Sequence, residues 1–124
     1  MANWRVDTLE QVMALLKGII DDAETHNVHA VKANISLSIH LLNKIYIRDF
    51  VRNDYPKKMC KIISEVMDKL KQSEITASDL IGNSKYDNLY EIEANCAWSL
   101  AMLNESWRII ERTDDEKIDV NEIH

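Results

Sequence analysis

The chain is predicted to be all-α: an antiparallel, up-and-down four-helix bundle with long second and fourth helices. Three observations predict this. Glycine occurs twice and proline once in 124 residues, so few positions interrupt a helix. Apolar residues recur at steps of three and four in four separate stretches, which at 100° per residue gathers each set on one helical face. The first two connections are short, and short connections make consecutive helices antiparallel neighbours.

The first helix is placed at Asp7–Glu24, with Asp7 and Glu10 spaced as a capping box and Leu9, Val12, Met13, Leu16, Ile19, Ile20 and Ala23 forming its apolar stripe. Trp4 and Val6 lie just upstream, where they would staple the start of the helix. Gly18 falls on the polar side and costs about 1 kcal/mol against alanine, so this helix depends on packing. Thr25, His26 and Asn27 connect it to the next, with Asn27 as the N-cap.

The second helix is expected from Val28 to Arg52, with Val28, Val31, Ile35, Ile39, Leu42, Ile45, Tyr46 and Phe50 on its main face and Leu37 and Leu41 widening it. Asn53-Asp54-Tyr55-Pro56 reads as a turn in which proline opens the third helix. That helix carries Met59, Ile62, Ile63, Val66, Met67 and Leu70 and is expected to end near Lys71. Residues 72–84 then form the longest break, with a short turn ending at Gly82.

The fourth helix is expected over Ser84–Arg112, with Ser84 and Asp87 marking its start. Leu89, Ile92, Cys96, Leu100, Leu103, Trp107 and Ile110 make its core face. Ala94, Trp98, Met102 and Ile109 fall on roughly the opposite side, with Glu91, Glu105 and Arg108 beside them. A helix apolar on two sides is either central to its own domain or shared with a partner. The second and fourth helices would reach roughly 38 and 42 Å against about 26 Å for the other two, leaving apolar surface overhanging. A single domain is expected over residues 1–113, followed by an acidic, mobile tail over 114–124.

Composition excludes several function classes. Cys60 and Cys96 are too few for a disulfide framework and match no metal spacing, which reads as free thiols in a reducing, cytoplasmic compartment. No stretch approaches the length of a membrane span. No Glu-x-x-His pair occurs for a di-iron bundle, and two isolated glycines make no phosphate loop. Asp22, His26 and His29 would gather around a metal only if the helix ran unbroken through Thr25. No serine or cysteine pairs with a histidine base by spacing. The expectation is therefore no enzyme activity, no cofactor and no metal.

Charge distribution is more informative than the net charge of −6. Residues 44–71 hold eight basic and four acidic residues, and residues 72–124 hold four basic and twelve acidic. Lys44, Arg48 and Arg52 repeat every four residues, and Lys57, Lys58 and Lys61 open the next helix. Lysines in a first turn oppose the helix dipole, so helix stability did not place them.

These features point to a non-catalytic protein–protein interaction module acting as an inhibitor, immunity or adaptor protein that occupies a surface of a larger protein. Trp98, Met102 and Ile109, with Glu105 beside them, are the expected protein-binding residues, because tryptophan and methionine concentrate at interfaces. Homo-oligomerisation through the fourth helix is a further expectation. The alternative is a nucleic-acid-associated subunit that places Lys44, Arg48, Arg52, Lys57, Lys58 and Lys61 on phosphates.

Overall fold

The computed structural model describes residues 4–51, 57–81 and 89–123, with side chains 49–51, 57–58, 107 and 109–123 outside that description. The described residues form four α-helices: α1 (Trp4–Glu24), α2 (Val28–Ile45), α3 (Lys57–Leu80) and α4 (Leu89–Ile123). A π-helical segment, Tyr46–Val51, continues α2. Among the described residues each helix packs on two others. α1 lies against α2 and α4, and α3 lies against the same two, with the backbones of the diagonal pairs farther apart. This ring is a helical bundle around one core.

The expected stripes supply that core. Leu9, Val12, Leu16 and Ile19 of α1 meet Val31, Ile35, Leu42 and Ile45 of α2, all fully buried. From the other side come Met59, Ile63, Val66 and Leu70 of α3 with Ile92, Cys96 and Leu103 of α4. Burying such side chains stabilises the fold by about 1.5–3 kcal/mol each before chain entropy is subtracted.

The α1–α2 connection follows from local chemistry. His26 adopts φ 60°, and its N–H donates to the Ala23 carbonyl at 3.1 Å while that of Asn27 donates to the Asp22 carbonyl at 2.8 Å. This pair of bonds is a Schellman stop, usually built on glycine because a side chain strains the left-handed residue. Asn27 then caps α2, its side chain accepting from the Ala30 N–H.

Four boundaries differ from expectation. α1 begins at Trp4, so Trp4 and Val6 lie inside the helix, and the Thr8 hydroxyl donates to the Trp4 carbonyl at 2.7 Å. α2 changes to π geometry at Tyr46, and together the two segments are no longer than the 24-residue α3. α3 runs to Leu80 rather than Lys71. Ser73, Ala77 and Leu80 prolong the buried face beyond Leu70 at helical spacing, and the small, polar Ser73 and Thr76 concealed it in the sequence. α4 is 35 residues long and continues to Ile123, so the backbone of the expected mobile tail is helical. No glycine or proline interrupts it. The Asn53–Pro56 turn, Gly82 and the Ser84/Asp87 cap lie outside the described residues.

Candidate docking surface

The strip expected on α4 is covered in part, with Ala94 exposed. Trp98 and Met102 are half-buried and pack against the core, with the Lys69 ammonium 5.8 Å from the Trp98 ring centre. Glu105 is exposed beside them, and the Ile109 side chain lies outside the described residues. The core face of α4 is turned toward Ser99 and Ser106, both fully buried. The Ser106 hydroxyl donates back to the Met102 carbonyl at 3.2 Å, whereas that of Ser99 has no partner among the described residues.

Exposed apolar side chains occur singly at Ile47, Ile75 and Tyr90, and a concave apolar surface lies between α1 and α2. An open groove of about 490 Å³ runs between α1 and α2, lined by Gln11, Ala14, Leu15 and Gly18 from α1 and Asn34, Leu37 and Leu41 from α2. Leu37 is 45% exposed, and Leu15 and Leu41 are half-buried. Gly18 deepens the groove, since a Cβ built there meets nothing within 4 Å. The sequence pattern put Gly18 on a polar face and had Leu37 and Leu41 widen the core face of the second helix; Leu41 does pack against the core, whereas Leu37 is exposed.

Of the basic cluster, Lys44, Arg48 and Lys61 are exposed. The Arg48 guanidinium lies 4.5 Å from the centre of the Trp4 ring, tying the π-helical segment to the start of α1. A contact of this kind is worth about 0.5–1 kcal/mol at an exposed site. Arg52 and the side chains of Lys57 and Lys58 lie outside the described residues.

Other chemistry is sparse. Among the described residues no three of His, Cys, Asp and Glu gather closely enough to hold a metal ion, so Asp22, His26 and His29 do not converge. Cys60 is half-buried and Cys96 buried, both as free thiols. Burial pushes the Cys96 thiol up to about 12, which keeps it protonated and unreactive at neutral pH. No described helix is long and apolar enough to cross a membrane.

No protein-family model, curated protein or solved structure matches this chain. Any functional reading therefore rests on the surface itself.

Proposed function

We propose that this chain is a non-catalytic protein–protein interaction module, an up-and-down bundle that acts as an inhibitor, immunity or adaptor protein by docking a helix of another protein. The observation that carries the reading is the α1/α2 groove. Ala14, Leu15, Leu37 and Leu41 line it with Gln11 and Asn34 beside them, and Leu37 is exposed. Apolar grooves between helices take amphipathic helices through such leucine contacts, and apolar residues clustered at one exposed place mark interaction sites.

The up-and-down arrangement is supported by contacts that pair early residues of one helix with late residues of the next. Trp4 meets Arg48, Ser36 donates to Glu74, and Asn95 donates to the Ser73 hydroxyl at 3.0 Å. Two free thiols support a reducing, cytoplasmic setting.

The test is a photocrosslinking residue placed at Leu37, with the tagged protein recovered from nuclease-treated lysate of its source. One stoichiometric protein adduct, abolished by Leu37→Glu in a copy crosslinked from Leu41, is the expected result. An adduct that is unaffected by Leu37→Glu overturns the reading. Loss of all partners on nuclease treatment instead favours the nucleic-acid alternative. The exposure of Lys44 and Lys61 near the Arg48–Trp4 contact is the observation behind that alternative.

A further inference from the structure

α3 is built differently on the two sides of Ser73. Its earlier part buries Met59, Ile62, Ile63, Val66, Met67 and Leu70, so large apolar side chains hold it to the core. From Gln72 to Leu80 the buried residues are Ser73, Ala77 and Leu80, and of these Leu80 alone is large and apolar. Ile75 points outward and is 64% exposed, so it adds little to the burial that holds this stretch. Ile81, just beyond, is partly buried against the core.

Local chemistry does not make up the difference. Ser73, Ile75, Thr76, Ser78 and Asp79 are weaker helix formers than alanine, leucine, lysine or glutamate. The Thr76 and Ser78 hydroxyls donate back to the Gln72 and Glu74 carbonyls at 3.1 and 3.0 Å, and back-bonds of this kind bend a helix and slightly weaken it. Asp79 stands in the last turn, where an acid opposes the helix dipole and no basic residue offsets it.

What fastens the stretch to its neighbours is polar. The Ser36 hydroxyl of α2 donates to the Glu74 carboxylate, and the Asn95 side-chain amide of α4 donates to Ser73 Oγ at 3.0 Å. Two successive residues of α3 are thus tied to the two helices on either side, at the point where the large apolar side chains stop. We propose that residues 72–81 form a strap that opens as one unit while the rest of the bundle stays folded, with the Ser36–Glu74 and Asn95–Ser73 bonds as its two latches. When the strap lifts, both latches exchange for bonds to water, so releasing them costs little net free energy. Lifting the earlier part of α3 instead exposes its whole row of large apolar side chains, and segments with few buried apolar contacts are the ones that open locally. Opening uncovers Ala77, Leu80 and Ile81 together with the core they cover. The strap lies outside the α1/α2 groove and does not rest on the docking reading.

The test is hydrogen exchange of the native protein, read amide by amide by NMR over a series of urea concentrations below the unfolding transition. The amides of residues 76–81 bond within the strap, that of Ile81 to the Ala77 carbonyl at 3.2 Å. They are expected to share one protection factor, at least about 100-fold below that of residues 63–70, with a much shallower dependence on urea. Ser36→Ala and Asn95→Ala remove the latches from the neighbouring helices and leave the sequence of the strap intact. Each is expected to lower the shared protection of residues 76–81 by about 3–10-fold while the urea dependence stays shallow.

Protection and urea dependence equal to those of residues 63–70 overturn the proposal, because the stretch then opens only with the whole bundle. Protection that falls stepwise toward Ile81, with no shared value, overturns it as well and reduces the behaviour to fraying of a helix end. Unchanged protection in either latch variant shows that the bond removed does not hold the strap closed, and the device as proposed falls.

Discussion

Two apolar surfaces flank this bundle, and they have opposite fates. On α4, Trp98 and Met102 are large side chains that the fold itself half-covers. Between α1 and α2, smaller residues border the more open surface, where Ala14 and Gly18 line a groove in which Leu37 is exposed and Leu41 half-buried. Residue size on a wheel diagram does not say which face is free. What decides it is which neighbouring side chains stand over the face: Lys69 lies over Trp98, whereas Ala14 and Gly18 put little beside Leu37.

The comparison breaks most readily through paired truncations. Trp98→Ala is expected to cost about 2–3 kcal/mol, since it removes a large, half-buried ring from the edge of the core. Leu37→Ala is expected to stay within about 0.5 kcal/mol, as for other exposed positions that make few native contacts. Urea unfolding followed by circular dichroism, at a concentration low enough to keep the chain monomeric, measures both. Equal losses would mean that the groove leucine is packed as firmly as the tryptophan.

Much of the architecture was readable because hydrophobic period and caps agree. Leu9, Val12, Leu16, Ile19 and Ala23 of the α1 stripe are buried, with Met13 and Ile20 partly so, and Asn27 caps α2 where its residue type calls for a cap. The misreadings share a physical cause. Ser73 and Ala77 carry the α3 face past Leu70, but they are small or polar, so periodicity fades there although the helix does not. Ser73 is satisfied by Asn95 from α4, a cross-helix bond that no local pattern announces. Ser99 and Ser106 rotate the buried face of α4 away from the strip implied by Leu100, which is only half-buried. The groove was illegible for the complementary reason, since it depends on what Gly18 lacks. The basic positions Lys44 and Arg48 were visible as a run, but not the placement of Arg48 over Trp4, which needs two helices.

The covered side of α4 should also respond to alkali in a way the groove does not. The Cys96 thiol is raised from 9.0 to about 12 by burial, so near neutral pH it is neutral in both the folded and the unfolded chain. Above pH 9 the unfolded chain loses this proton first, leaving the folded state with more bound protons. Stability therefore falls as pH rises, by up to about 1.4 kcal/mol per unit until the folded thiol itself ionises near 12. Cys96→Ala should flatten the slope of unfolding free energy against pH between 9 and 11, whatever its offset from the cavity it leaves. A thiol reagent offers a second reading: Cys60, half-buried, is expected to react in the native protein, and Cys96 only after urea is added. Native reaction of both would show that α4 opens where its packing indicates closure.

The smallest expected effect sharpens the comparison from the groove side. Glycine inside a helix gives up more backbone freedom on folding than alanine, and a Cβ at Gly18 has open space around it. Gly18→Ala is therefore expected to stabilise the monomer by about 0.5–1 kcal/mol in urea unfolding. A glycine retained at that cost fits a floor that another side chain must enter. Gly18→Leu separates the two roles, because it keeps the helical gain in large part while filling the groove. It is expected to leave the monomer at least as stable as wild type and to weaken docking in the groove about as much as Leu37→Glu does. Stabilisation with undiminished association would place the contact elsewhere on the bundle and reduce Gly18 to a weak point of α1.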